Sequence, residues 1–361
     1  MIKVAMIARS TLYSIRGGDT VQVMETARHL SRLGVEVDIR LTNDHINYAQ
    51  YDLLHFFNII RPADILFHIK RSGKPYVVST ILIDYSLYDK YQRKGFAGFI
   101  FRFLSADTIE YLKTIARWVL GKDRLISLSY LWRGQYNSIR YVLQNASMLL
   151  PNSELEYERI AARYTYKVPY LMVPNGIDDY LFLPDVTIEK DPLLVICAAR
   201  IEGIKNQLNL IRALNGTKYT LLLIGSPAPN QLAYDKKCRQ IADKNIHFIG
   251  RIAQNELIGY YAKAKVHILP SWFETTGLSS LEAAAMGCQV VISWNGDAKE
   301  YFGAAAFYCD PANTGSILAA VEQASQASAN SSLQKRILEK YTWQHAADIT
   351  LSAYQKIVTI A

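Results

Sequence analysis

Short apolar runs closed by glycine- or proline-bearing turns alternate with amphipathic stretches at helical spacing from one end of this chain to the other, and few folds tolerate that rhythm. The run Lys3–Ala8 leads into a polar loop, Arg16-Gly17-Gly18-Asp19-Thr20. Val23, Met24, Ala27 and Leu30 then recur at helical spacing until Gly34, and Val35–Leu41 follows as a second strand, which makes a βαβ unit. Asp52–Phe56 and Pro75–Ser79 read as further buried parallel strands, and residues 87–143 are rich in helix formers and aromatics. Ala146–Pro151, the helical Glu154–Arg163 and a strand over Tyr170–Val173 complete the first series. Prolines 174, 184 and 192 punctuate a polar stretch. A second series then places strands at Leu193–Ala198, Thr220–Ile224, Ile246–Ile249, Val266–Leu269 and Val290–Ser293, with helices at Asn206–Leu214 and Glu256–Ala264 between them.

The fold class expected is therefore α/β, with two Rossmann-like, doubly wound domains over residues 1–173 and 174–342 and an amphipathic helix within 343–361. A chain of 361 residues, half of them apolar, is long enough for two cores. Ligands of such sheets bind beyond the carboxyl ends of the strands, so the polar loops there are the first place to look for chemistry.

Several function classes lose support at once. No apolar run approaches the roughly 18 residues that span a bilayer, and the start lacks a signal peptide's length and cleavage region, so a cytoplasmic location is expected. Cys197, Cys238, Cys288 and Cys309 are widely spaced, which suits inert buried thiols and no zinc site. Neither Gly-x-Gly-x-x-Gly nor a Walker P-loop is present, and no Asp-x-Asp element follows a strand, so no metal and no cofactor are expected. The net charge of +8 is concentrated in residues 91–140, where Arg93, Lys94 and Arg102 lie beside Phe96, Phe99, Ile100, Phe101, Phe103 and Leu104. That stretch suits either a packed helix pair with a basic face or a contact with an anionic membrane, and no nucleic acid is expected as a partner.

The candidate residues cluster at strand ends. Glu274 and Glu282 bracket a loop and a helix start; on one helix they would point about 80° apart, so Glu274 is expected in the loop and Glu282 on the helix, which begins near Ser279 or Ser280. Gly277 lets the backbone turn there, and the free amides of the first helical turn suit an anion. Arg200 and Lys205 follow the strand Leu193–Ala198 and suit a pyrophosphate, Arg through paired hydrogen bonds and Lys as a mobile charge. Gly17 and Gly18 let backbone approach a phosphate or a sugar, although Asp19 or Thr20 as a helix cap explains part of that loop. Gly225-Ser226-Pro227 and Gly250-Arg251-Ile252 suit either plain turns or backbone contacts to a nucleotide base. Hydroxyl-binding carboxylates on either side of an anion site match the layout of a sugar nucleotide.

With these residues assembled, the chain resembles the GT-B retaining glycosyltransferases, specifically glycosyltransferase family four, the glycosyl transferases group 1. The likeness is carried by Pro174-Asn175-Gly176-Ile177-Asp178, Arg200 with Lys205, Leu223-Ile224-Gly225, Ile246–Gly250, and Pro270-Ser271 leading into Glu274 and Glu282, in order. The resemblance implies a GT-B fold with two Rossmann-like domains facing a central cleft, acceptor-side first and nucleotide-sugar-binding second, and a terminal helix, residues 343–361, that packs back on the N-terminal domain. It implies Glu274 at the donor sugar's hydroxyls, Glu282 at the ribose, and Arg200 with Lys205 at the diphosphate. Backbone over Thr276, Gly277, Leu278 and Ser279 would help hold the phosphates. It further implies retaining transfer from a nucleotide-sugar donor to a glycan or lipid-linked acceptor, as in surface polysaccharide or glycolipid synthesis. The chain departs from the family where a histidine often follows the strand that here ends near Asp84 and Tyr85, which are the acceptor-side candidates. That departure keeps open a catalytically weak sugar-nucleotide-binding subunit, or an epimerase of nucleotide sugars on the same fold.

Overall fold

A computed structural model describes residues 1–86, 88–89, 104–121, 125–164, 168–184 and 187–360. The aromatic and basic residues Arg93, Lys94, Phe96, Phe99, Ile100, Phe101, Arg102 and Phe103 lie outside this set. By contact the chain divides into two units: Met1–Ile83, Lys94–Asn175 and Trp343–Ala361 form one, and Asp84–Arg93 with Gly176–Thr342 the other.

The first unit holds β1 (Lys3–Ala8), α1 (Gly18–Arg32), β2 (Glu36–Leu41), β3 (Leu53–Phe57), α2 (Pro62–Ser72), β4 (Tyr76–Ser79), α3 (Ala106–Val119), α4 (Ser129–Asn145), β5 (Met148–Leu149) and α5 (Glu154–Tyr164). Its sheet is parallel, in the order β2-β1-β3-β4-β5. Ala5, Ile7, Leu54, Phe56, Tyr76 and Val78 pack on one face of that sheet, as period-two alternation in a doubly covered sheet requires. The C-terminal helix Trp343–Ile360 packs against α1. It is pinned through buried Tyr354, whose hydroxyl lies 2.6 Å from His55 Nδ1, while His55 Nε2 lies 2.8 Å from Ser79 Oγ. Burial without a charged partner pushes the His55 imidazole down to about 3.

The strand expected over Tyr170–Val173 does not form. A single bridge joins Tyr170 to Leu149, and only Leu171 N to Leu149 O and Val173 N to Pro151 O continue it. Pro151 and Pro169 have no N–H to give, so a ladder at this sheet edge cannot extend.

The second unit holds β6 (Asp191–Ala198), α6 (Gln207–Leu214), β7 (Thr220–Ile224), α7 (Leu232–Ile241), β8 (Ile246–Gly250), α8 (Gln254–Lys263), β9 (Ala264–Leu269), α9 (Leu278–Ala285), β10 (Gln289–Ser293), α10 (Ala298–Phe302), β11 (Phe307–Cys309), α11 (Thr314–Gln326) and α12 (Ser331–Lys340). Its parallel sheet runs β11-β10-β9-β6-β7-β8. Val195, Cys197, Leu221 and Leu223 pack on one face, Ile196, Ala198, Ile224 and Val290 on the other. The four cysteines are buried and unbridged, and burial pushes the Cys197 and Cys309 thiols up to about 12. Among the described residues, no helix is long and apolar enough to cross a membrane.

Strand order decides where a ligand can sit. From β6 the chain winds outward through β7 and β8, then returns to place β9 on the other side of β6. The loops after β6 and β9 therefore part in opposite directions, and the opening between them is the topological switch point of this sheet.

Candidate functional site

Both loops at that switch point carry candidate residues. After β6 the chain passes Arg200 and Glu202, makes a short 3-10 turn over Gly203–Lys205, and enters α6. Asn206 takes a left-handed conformation with φ of 61° and sends its side-chain amide to the carbonyl oxygens of Pro270 (3.1 Å) and Pro311 (2.7 Å). Trp272 N donates to Ile204 O at 2.8 Å, so the loop after β9 is laced to the loop after β6 by backbone as well. Asn tolerates the left-handed region because its short polar side chain finds local partners, and here those partners hold Lys205 in place.

The result is a close ion pair. Lys205 Nζ donates to Glu274 Oε2 at 2.6 Å, and Ser271 Oγ donates to the same oxygen at 3.2 Å. Glu274 is 8 % exposed. Its backbone is pinned on the other side, where Asp297 N donates to Glu274 O at 2.8 Å and Glu274 N to Asn295 O at 3.3 Å. Between those two bonds lies Gly296, at φ of 105°; a Cβ there would stand 2.1 Å from Glu274 O. Only glycine permits this approach.

Glu282 answers to different neighbours. It accepts from Gln254 Nε2 at 2.8 Å and from the Tyr261 hydroxyl at 3.3 Å. The side chain keeps some surface yet is crowded by protein, and burial pushes its carboxyl up to about 7, the two hydrogen bonds opposing that shift. Glu274 thus lies in the loop and Glu282 on α9, which begins at Leu278 with Gly277 as its N-cap at φ of 73°. A Cβ on Gly277 would lie 3.5 Å from Glu274 Cγ, so the N-terminus of α9, whose first amides have no intrahelical partner, stands beside the Glu274 side chain.

The remaining candidates fall into distinct surroundings. Arg200 is more exposed, and its Nη2 donates to Glu202 Oε1 at 3.0 Å. Thr276 is buried, with its hydroxyl 3.3 Å from that of Tyr301. Ser279 and Leu278 are half-buried in the first turn of α9. Gly225 cannot carry a side chain, because its Cβ would lie 2.0 Å from Ala199 O at the end of β6, and its N–H donates to Gly250 O. Arg251 is exposed and Ile252 packs against the core.

In the first unit, Gly17 is the N-cap of α1, a place the sequence suggested for Asp19 or Thr20. Thr20 instead reaches back, its Oγ1 accepting from Gly17 N at 3.2 Å, while Asp19 accepts from Arg9 Nε at 2.6 Å and so braces the loop. Gly18 is exposed. By contact Asp84 and Tyr85 belong to the second unit; Asp84 Oδ1 accepts from Ser86 N at 2.8 Å, and the Tyr85 carbonyl accepts from Asp89 N.

In the sequence, Asn206 stands out only as a helix start and Ser271 only within the Pro270-Ser271 motif, while Gly296, Gln254 and Tyr261 are not singled out. The Asn295-Gly296 pair directly after β10 is a turn signal that points to Gly296. Gln254 and Tyr261 carry no comparable local signal, because only packing brings them to Glu282.

Residues 182–340 match the family model of the glycosyl transferases group 1. Among curated proteins, the chain is 22% identical over 392 residues to a probable sucrose-phosphate synthase of Thermosipho melanesiensis, covering 94% of this chain and 91% of that protein. Among solved structures, a sucrose-phosphate synthase from Thermosynechococcus elongatus superposes with a TM-score of 0.75 at 15% identity, over 100% of both chains. Anabaena Alr3699/HepE, solved in complex with UDP-glucose, superposes with a TM-score of 0.66 at 14% identity, over 100% of this chain and 99% of the other. These neighbours share the GT-B fold with this chain.

Proposed function

We propose that this chain, whose residues 182–340 match the family model of the glycosyl transferases group 1, moves a sugar, with retention and without a metal ion, from a nucleotide-diphosphate donor to a glycan or lipid-linked acceptor in surface polysaccharide or glycolipid synthesis. The observation that carries this reading is the Lys205–Glu274 pair at the switch point of the second sheet. A diphosphate arriving there meets Lys205, Arg200 and the open amides of α9. Those groups stabilise the charge that grows on the leaving phosphate, and fixed dipoles and charges of this kind usually lower such a barrier more than any other single effect. Glu274, fixed by Lys205 and by Gly296, accepts hydrogen bonds from the hydroxyls of the transferred sugar. Glu282 takes the ribose. With no protein nucleophile in this scheme, the departing phosphate accepts the proton of the acceptor hydroxyl on the face it leaves.

Uridine diphosphate sugars are the first donors to test, since a neighbour of the same fold was solved with UDP-glucose. The decisive assay is release of nucleoside diphosphate with and without acceptor, in parent, Glu274→Ala and Lys205→Ala, in the presence of a chelator. Loss of release in both variants with donor binding weakened in Lys205→Ala, and no effect of the chelator, is the expected result. Variants that turn over like the parent would falsify the site; donor binding without turnover by the parent points to a binding subunit.

A lipid-linked acceptor would bring residues 91–140 to the inner face of an anionic membrane. The large exposed side chains of Trp118, Val119, Leu120, Leu128 and Trp132, beside exposed Arg117, support that contact. Co-sedimentation with phosphatidylglycerol vesicles at low salt tests it, and no binding there removes it.

A further inference from the structure

Glu156 is a fully buried carboxylate that the donor site does not use. It occupies the third position of α5, where Ser153 Oγ accepts from Glu156 N at 3.1 Å and Glu156 Oε2 accepts from Asn152 N at 2.8 Å. That half of its bonding is ordinary helix capping. The other oxygen has a separate task. Oε1 accepts from both Thr80 Oγ1 and Leu82 N, each at 2.6 Å. One turn further on, Arg159 Nη2 donates to Leu82 O at 3.0 Å, so α5 grips both backbone groups of Leu82.

The residue between the gripped positions is Ile81, buried and at φ of 47°. A β-branched side chain rarely adopts this left-handed conformation, and it persists only where surrounding bonds over-determine it. A simple turn would use glycine. The neighbouring strand ends in a second such residue, Asn58 at φ of 72°, whose N–H donates to Ser79 O, while Ile59 N donates to Thr80 O. Two left-handed residues, of which the β-branched Ile81 is the strained one, thus stand side by side at the carboxyl ends of β3 and β4, the edge of a parallel sheet where ligands bind.

We infer that Glu156 and Arg159 are positioning residues that set the path of the chain from Thr80 to Ile83, and so the starting points of Asp84 and Tyr85, for contact with the acceptor. The inference rests on the proposed function, in which the Lys205–Glu274 site takes the donor, and on the acceptor-side role that the family resemblance implies for Asp84 and Tyr85. Neither residue touches the substrate. Their effect is confined to the binding and use of the acceptor.

The test uses the full chain with the best donor and acceptor pair among UDP-, GDP- and ADP-glucose and octyl glycosides. Glu156→Gln keeps the shape of the side chain and removes its charge; Arg159→Met leaves Glu156 in place and frees Leu82 O. Both variants are expected to raise the acceptor KM by about 10-fold or more while acceptor-independent donor hydrolysis stays within about 2-fold of the parent. Amide exchange at Leu82 is expected to quicken in Glu156→Gln, with the rest of the unit protected. An unchanged acceptor KM, or a fall in donor hydrolysis as large as the fall in transfer, overturns the inference. A parent that neither hydrolyses nor transfers from any of these donors overturns the functional reading, and the acceptor role of this loop with it.

Discussion

Replacing Gly296 by alanine tests whether the Glu274 loop is held as described. A Cβ at this position would lie 2.1 Å from Glu274 O and 2.7 Å from Glu274 N. Carbon and carbonyl oxygen ordinarily approach no closer than about 3.3 Å, so the two segments must part by roughly 1 Å. That separation breaks the bonds from Asp297 N and Glu274 N. Two backbone bonds at about 1 kcal/mol each and left-handed strain of about 1–2 kcal/mol sum to roughly 3–4 kcal/mol. For a unit of this size that corresponds to a fall in Tm of roughly 6–16 °C. Glu274 shifts with its backbone, and a displacement of roughly 1 Å in a group that orients substrate costs about 100-fold in kcat/KM. Gly216→Ala is the control: φ is 67° and the nearest atom to its Cβ is 3.8 Å away, so strain acts alone and activity holds. Calorimetry and a nucleoside diphosphate release assay read both effects. A Gly296→Ala protein that melts with the control and turns over like the parent would refute the close approach, and with it the fixed Glu274.

Two further predictions concern protons. In the first unit, burial holds His55 and His68 neutral down to about 3 and 4, whereas unfolded imidazoles bind protons near 6.5. The stability tied to them is fully present above pH 6.5 and is lost as pH falls, with a slope near pH 5.5 of about 2.4 kcal/mol per pH unit for the roughly 1.8 protons that the unfolded imidazoles then bind in excess. In the second unit His267, also lowered to about 3, acts in the same sense, but Glu282, raised from 4.5 to about 7, takes up its proton in the folded state first and opposes it. Acidification from pH 7 to 5 should therefore loosen the first unit well before the second, as amide exchange resolved by segment will show; a second unit that opens first contradicts the assignment. Glu282 also links donor binding to pH: if its ionised form accepts from the ribose, UDP-glucose affinity rises as pH passes through about 7 and then levels off. Titration calorimetry of Glu282→Gln should show no such dependence, and a parent without it removes Glu282 from the ribose.

Much of this molecule can be read along the chain. Runs such as Thr220–Ile224 and Gln289–Ser293 are buried on both faces of parallel sheets, and their apolar side chains and closing turns carry that information locally. Lys205, Arg200 and Glu274 were recognisable because each follows such a run, where strands end and ligands gather. The separation of Glu274 in a loop from Glu282 on a helix also follows from spacing alone. Edges are harder, as Tyr170–Val173 shows: whether an apolar stretch completes a ladder depends on what the neighbouring chain can donate.

Tertiary structure decided the rest. Nothing local states that β9 lies beside β6, yet that order brings Lys205 to Glu274 across 69 residues of sequence. The partners of Glu282, the glycine that admits the Glu274 backbone and the carboxylate that holds Ile81 are likewise known only from packing. The physical reason is one of range. Side-chain period and turn chemistry act over a few residues and specify elements, while pairing of distant strands and close backbone approach are settled only when the whole sheet has formed.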